Sequence, residues 1–467
     1  MVVQHQRLSA TSKMRVQNRL LLPCARHGAA RSAVRGSADR EGVCALSIVG
    51  RPAYPQPEVL DTVLDLRLAR AAGPYYARLE ISPETLSGSP RDWGVVMNTR
   101  LLLRNLLEPV YRNHTGFKQQ LKSVQGGLDR LRTGASERFP ALIRPTPRNI
   151  YLTLTSACNL RCKGCRYGRD FMPNEQLSLQ MVREVLEDAK EANFEIVRLY
   201  GGEPLVHKNI VEIVEECSRL GLRSYITTNG IILKKKIDDL YAAGLRRLSV
   251  GVYGIGEEYN TYVQRKDRFS QLEDNLTYVR DRYGDKISMV LNWLLMKPTC
   301  SLDVVRDTWK FAERYRMPIF INLVHYSLPY FTMGFDNELQ FQPEDRPAIE
   351  AVVNEFLRLQ AEQPQLLPMS PTVLRSIPDW LLKGANMRVP CDRHKLIWVG
   401  ADGTVQMCYV TFKLGNLHEK RLRDMLFTDT HVNAARNAFA LNCPNCHCGY
   451  DSRTLGHAPT RQQYMGS

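Results

Sequence analysis

The stretch CNLRCKGC, Cys158 to Cys165, packs three cysteines into eight residues, with three and then two residues between them. It follows NIYLTLT (149–155), a β-rich run, so the thiols lie just past the end of a strand. Three thiolates can hold three irons of a four-iron cluster and leave the fourth iron open to a ligand. Structural zinc closes its shell with four ligands, and the next histidine is not reached until His207. Thiol–disulfide chemistry uses two cysteines and leaves the third unexplained. An iron–sulfur cluster with one open iron is therefore the reading taken outward from this loop.

Downstream, strands and helices alternate. After 149–155 come a helix over 177–192, EIVRLY (195–200), a helix over 208–221, SYITTNG (224–230), a helix over 234–244 and RRLSVGVYG (246–254). A helix over 269–284, KISMVLNWLLM (286–296), a helix over 304–315 and PIFINLVHY (318–326) complete the series. Six strand–helix units predict an α/β fold with a parallel sheet and right-handed crossovers. Periodicity leaves open whether the sheet is doubly wound or an incomplete barrel. Either way ligands gather at the C-terminal strand ends.

The residues at those ends carry a resemblance. Tyr200-Gly201-Gly202-Glu203-Pro204 closes the second strand, Thr227-Thr228-Asn229-Gly230 the third, and Tyr262-Val263-Gln264-Arg265 is followed by Phe269. In this order behind C-x3-C-x2-C, the set resembles the radical S-adenosylmethionine (radical SAM) superfamily over about residues 148–325. The resemblance implies a partial (β/α)6 TIM-like barrel with a [4Fe-4S] cluster on Cys158, Cys162 and Cys165. It implies S-adenosylmethionine on the open iron, cleaved by one electron to a 5′-deoxyadenosyl radical that takes a hydrogen atom from the substrate. Gly201, Gly202 and Glu203 then face the methionyl ammonium, Asn229 belongs to the TNG turn, Ser249 faces the ribose and Arg265 the carboxylate. Two glycines let backbone approach a ligand closely and a carboxylate suits a cation. The chain departs from the family in having Gly164 where an aromatic residue is common, and Ser249 without an accompanying Asp.

A second set of cysteines follows: Cys391, then Gly403, Cys408, Cys443, Cys446 and Cys448. This spacing resembles the auxiliary-cluster modules called SPASM and twitch domains. Five cysteines rather than about seven favour the one-cluster form, with a second [4Fe-4S] cluster held by Cys391, Cys408, Cys443 and either Cys446 or Cys448. The alternative is a zinc knuckle, with His447 as a substitute ligand. The hairpin pattern KLIWVGADGTVQMCYV (395–410) and these cysteines read as a separate C-terminal module.

The domain reading is a basic disordered tail over 1–45, a helical region over 46–147, the barrel over 148–330, a helical connector over 331–390 and the auxiliary domain over 391–467. The tail has a transit-peptide-like composition, but a disordered extension, or a chain that begins at Met14, is the reading favoured. The net charge of +15 is concentrated at the start, with 23 Lys and Arg against 11 Asp and Glu in residues 1–150 and 40 against 37 beyond. No basic stripe interleaved with aromatics accompanies it, so no nucleic-acid partner is expected. No run of eighteen apolar residues points to a membrane. The 12 cysteines are clustered, which suits ligation better than a disulfide framework. A cytoplasmic enzyme drawing electrons from a ferredoxin or flavodoxin is what the resemblance implies.

Three reactions stay open: two-electron dehydrogenation of an alcohol or amine, epimerisation, and modification of a ribosomal peptide. Cys300, past the fifth strand, is a candidate hydrogen-atom donor for epimerisation, although a buried loop cysteine is the reading favoured. No winged-helix leader binder is evident in the N-terminal sequence, which favours a small-molecule substrate. An iron–sulfur electron carrier without radical chemistry is the reading from another class; the GGEP, TNG and Arg265 set argues against it.

Overall fold

A computed structural model describes residues 134–331 and 336–466, with the backbone of three short strands nearer the N-terminus. The chain divides into two units, residues 1–120 and 121–467.

In the first unit, β1 (Cys44–Leu46), β2 (Leu66–Arg70) and β3 (Ala77–Leu79) form an antiparallel sheet in that order. The helical reading of 46–147 is thus corrected at 66–70 and 77–79. The tail over 1–45 and most of 46–133 lie outside the described residues.

The second unit is built on a nine-stranded sheet. Six of its strands come in the predicted sequence: β4 (Asn149–Thr155), β5 (Ile196–Gly201), β6 (Arg223–Thr228), β7 (Arg247–Val252), β8 (Ser288–Leu295) and β9 (Ile319–Leu323). All five neighbouring pairs among them are parallel. The linking helices are α1 (Leu179–Glu191), α2 (Ile210–Arg219), α3 (Ile237–Ala242), α4 (Glu257–Val263), α5 (Arg268–Tyr283) and α6 (Leu302–Arg314). Two start at serine caps: Ser178 accepts from the Met181 amide at 3.1 Å and Ser301 from Val304 at 3.3 Å.

The C-terminal hairpin is not a separate module. β10 (Leu396–Val399) pairs in parallel with β4, Leu396 opposite Asn149 through Val399 opposite Leu152. β11 (Thr404–Gln406) and β12 (Lys413–Asn416) continue the same sheet in antiparallel fashion. The full order is β12-β11-β10-β4-β5-β6-β7-β8-β9, an open sheet, as a partial barrel requires. The connector supplies α7 (Arg346–Glu362) and α8 (Pro371–Lys383), and α9 (Asp429–Phe439), α10 (Tyr450–Gly456) and α11 (Ala458–Gln463) end the chain. Among the described residues no helix is long and apolar enough to cross a membrane.

Alternation along each strand separates two faces. Ile150, Leu152, Val197, Leu199, Ile226, Leu248, Met289 and Leu291 are fully buried in the core shared with the helices. The other face is polar and aromatic. One row across β10, β4, β5 and β6 reads Trp398, Tyr151, Arg198, Tyr225, and Thr227 stands beside Ser249 in the next.

Candidate functional site

The cysteine loop is held by backbone hydrogen bonds at both ends. Arg161 and Lys163 amides donate to the carbonyls of Val263 (3.2 Å) and Tyr262 (2.9 Å) at the end of α4, and the Arg166 amide donates to Tyr330 (3.0 Å). Leu160 is buried between the thiols. Cys158, Cys162 and Cys165 are each partly exposed at the strand ends, as the sequence predicts. Burial pushes the Cys158 thiol up to about 12, and the Cys162 and Cys165 thiols rise for the same first cause. The three therefore lie close enough to repel one another as thiolates, and positive charge must be brought in for them to ionise. Iron supplies it.

The GGEP segment is stitched to this loop. Gly202 and Glu203 amides donate to the carbonyls of Thr155 and Ala157, both at 2.8 Å, so the turn lies against the backbone leading into Cys158. Gly201 has φ +147°, and a Cβ there would come within 2.4 Å of the Thr155 carbonyl oxygen. A Cβ on Gly202 would come within 2.3 Å of the Ala157 oxygen. The glycines are required by strand–loop packing as well as by any ligand.

Glu203 is fully buried and ties the turn to the next strand end. Its carboxylate accepts from Leu205 N (3.0 Å), Thr228 Oγ1 (2.8 Å) and Asn229 N (2.8 Å). Burial raises its pKa to about 7. Asn229 in turn donates to Asn159 Oδ1 at 2.7 Å and lies 3.9 Å from Cys158 Sγ. The cysteine loop, GGEP and TNG segments are thus one hydrogen-bonded unit.

The remaining expected contacts are looser. Ser249 is half-buried on the polar face, opposite Thr227 and Val290. Arg265 follows α4 and is exposed, its guanidinium donating to the Gln264 carbonyl at 2.8 Å. Cys300 ends the turn after β8, half-buried; burial raises its pKa to about 12, with Asp345 adding to the rise. No contact among the described residues joins it to either cysteine set.

The five C-terminal cysteines do come together. Cys446 lies within electrostatic reach of Cys391, Cys408, Cys443 and Cys448. It is held low by a hydrogen bond with Cys448, against the effect of burial, and by Arg453, whereas Cys448 is raised. Arg453 is buried, donates to the carbonyls of Cys446 and Val389 (both 2.6 Å) and stands 4.7 Å over the Trp380 ring. His447 is buried against His325 and Tyr326, with ring centroids 5.5 and 4.6 Å away. Among the described residues no three Cys, His, Asp or Glu side chains converge on a single metal ion.

Several residues here carried no sequence signal. Tyr253 folds back over Gly251, where a Cβ would meet its phenol oxygen at 2.5 Å. That phenol is within electrostatic reach of Cys158, Cys162, Cys165 and Glu203. Tyr200, Trp398, Tyr409 and Cys448 form a buried cluster between the two cysteine sets, joined by Tyr151, Phe171, Tyr330 and Cys446. Tyr167 and Tyr330 rings lie 5.0 Å apart and Tyr330 and Tyr409 6.3 Å apart, spanning from one set to the other.

Residues 152–298 match the family described as the Radical SAM superfamily, a span that holds the three-cysteine loop and the GGEP and TNG turns. The chain is 32% identical over 155 residues to a GTP 3′,8-cyclase of Marinobacter nauticus, covering 32% of this chain and 46% of that protein. It is 31% identical over 163 residues to molybdenum cofactor biosynthesis protein 1 of Dictyostelium discoideum, covering 33% of this chain and 25% of that protein. The chain thus spans between a quarter and about half of the length of the curated relatives it matches. Among solved structures, a histidine-tagged anSMEcpe with bound AdoMet matches at a TM-score of 0.50 and 17% identity, covering 63% of this chain and 81% of that one. SuiB of Streptococcus suis matches at a TM-score of 0.50 and 14% identity, covering 73% and 78%. These two likenesses bear on the fold.

Proposed function

Residues 152–298 are a radical SAM domain whose cofactors are a [4Fe-4S] cluster and S-adenosylmethionine, and from that premise we propose that this chain oxidises a small molecule by hydrogen-atom abstraction. The observation that carries the reading is the single unit made by the cysteine loop, the GGEP turn and the TNG turn. When bound, the cluster and S-adenosylmethionine supply a 5′-deoxyadenosyl radical. The chain's own residues do the rest. Cys158, Cys162 and Cys165 hold three irons. Gly201, Gly202 and Glu203 present backbone and a buried carboxylate to the methionyl ammonium, with Arg265 at the carboxylate and Ser249 at the ribose. The tyrosines between the cysteine sets exclude water from the reacting carbon.

The auxiliary set fits a second [4Fe-4S] cluster on Cys391, Cys408, Cys443 and Cys446. Cys446 is preferred over Cys448 because it lies near all the others. A cluster there would take the second electron, which favours dehydrogenation. Epimerisation needs a hydrogen donor beside the substrate, and among the described residues no contact joins Cys300 to either set. A cytoplasmic ferredoxin or flavodoxin is the electron donor this reading calls for.

A second reading, modification of a peptide, is favoured by one observation. The antiparallel sheet β1–β3 has two edge strands to which an extended peptide can add. In the first test, anaerobically reconstituted, reduced enzyme is given S-adenosylmethionine, and 5′-deoxyadenosine is measured. Its absence from a sample carrying about eight irons would end the radical reading in favour of electron transfer alone. Turnover with candidate small molecules or precursor peptides then separates the two substrate classes.

A further inference from the structure

We propose that Arg198 anchors an anionic group, phosphate or carboxylate, of a substrate held on the polar face of the sheet; this rests on the reading above and names the substrate's chemistry.

Arg198 lies on β5 in the row Trp398, Tyr151, Arg198, Tyr225. Two of its nitrogens are committed to the protein. Nε donates to Thr227 Oγ1 at 2.9 Å and Nη1 to Tyr409 Oη at 3.1 Å. Its guanidinium carbon stands 4.7 Å over the Tyr200 ring and 5.3 Å over Tyr151. These contacts fix the plane of the fork. The third nitrogen, Nη2, has no acceptor among the described residues and is not sealed from solvent.

An arginine held this way is normally matched by a carboxylate, and among the described residues none pairs with it. None of the residues on this face of β4 to β10 is Asp or Glu. Arg247 adds a second cation, 5.5 Å over the Tyr225 ring on the same face. The face thus carries positive charge with no internal counter-ion, and its guanidinium fork is oriented before any ligand arrives. A fork of that kind suits the paired oxygens of a phosphate or carboxylate. The position suits the chemistry too. Arg198 is two residues before Tyr200 and three before Gly201, about 7–10 Å along the strand from the GGEP turn. Through Tyr409 it is tied to the loop bearing Cys408. An anion seated here holds its remaining atoms between the two cysteine sets.

The test is calorimetric binding of inorganic pyrophosphate and of glutarate to the reconstituted holoenzyme with S-adenosylmethionine present. The wild type is expected to bind one of them, pyrophosphate marking a phosphorylated substrate and glutarate a carboxylate. Arg198→Gln is expected to weaken that binding about ten- to a hundred-fold, and Arg198→Lys, which keeps charge without the fork, to recover part of it. Equal affinity in Arg198→Gln, or no binding of either probe by the wild type, overturns the proposal. Independently of folding in any variant, the bound probe should protect Arg198 of the wild type from phenylglyoxal, read by peptide mass spectrometry, and lack of protection also overturns it. A wild type that binds pyrophosphate yet yields no 5′-deoxyadenosine would remove the radical reading and leave the anion site standing.

Discussion

Charged side chains stand beside both cysteine sets, a buried carboxylate among them at the first and a buried guanidinium at the second. The carboxylate of Glu203 lies beside Cys158, with Arg169 near Cys162 and Cys165; the guanidinium of Arg453 lies beside Cys391, Cys443 and Cys446, with Asp392 near Cys391. Next to Glu203 the Cys158 thiol is pushed up, first by burial and then in part by Glu203 itself. The Cys446 thiol is held low, first by its hydrogen bond with Cys448 and then in part by Arg453, whereas burial raises Cys391, Cys408 and Cys443. A thiolate set complete in itself is stabilised by a neighbouring cation. A set beside a buried anion calls for positive charge from outside, which iron and an ammonium group together bring. The two sets thus differ in the charge nearest Cys158 and Cys446 as well as in the count of cysteines.

The largest test of this contrast exchanges a thiol in each set. Cys158→Ala is expected to abolish 5′-deoxyadenosine formation, a loss of more than about a thousand-fold, because no other ligand replaces it. Cys446→Ala is expected to lower iron from about eight to about four per chain while S-adenosylmethionine cleavage without substrate persists. Iron analysis and chromatography of the nucleoside decide it. If Cys446→Ala also abolishes cleavage, the two sets are not independent.

Arg453 gives the next effect in size. It satisfies the Cys446 and Val389 carbonyls and is 2% exposed. Arg453→Met leaves both acceptors buried without donors, at a cost of about 3 kcal/mol. The expected result is a lower melting temperature together with loss of the auxiliary iron. An unchanged melting temperature would show that the auxiliary set does not depend on this cation.

The contrast was only half legible in the sequence. The six parallel strands could be read because each buries one face in the core, which imposes a regular period on residues such as Ile150, Leu152 and Leu154. The pairing of β10 with β4 could not, since it joins Leu396 to Asn149 across the whole barrel and no local pattern encodes such a partner. The C-terminal hairpin therefore read as a detached module. The cysteines, GGEP and TNG were visible because their spacing is itself the chemistry. Arg198, Tyr253 and Arg453 were silent because their significance lies in what packs against them. Arg198 in VRLYGG reads simply as one residue of a strand. In 46–147, helical periodicity hid the strands at 66–70 and 77–79, which are too short for alternation to show.

The smallest expected effect is the pH dependence of Glu203. Burial raises its pKa from 4.5 to about 7, against the donors from Asn229, Leu205 and Thr228 that favour the carboxylate. A carboxyl whose folded pKa is raised binds its proton more tightly in the native state. Its contribution to stability is therefore full below the unfolded value, falls as pH rises through the folded value and is level above it. Between about pH 4.5 and 7 the protein should lose about 3 kcal/mol from this group. Glu203→Gln removes the titration while keeping an acceptor oxygen for the Asn229 amide. Denaturant midpoints measured for both proteins across that interval, without S-adenosylmethionine, should fall less steeply with pH in Glu203→Gln. Parallel curves would mean that Glu203 is ionised throughout, its three donors outweighing burial. With S-adenosylmethionine bound, the ammonium should favour the carboxylate, so the wild-type curve should flatten toward that of the variant.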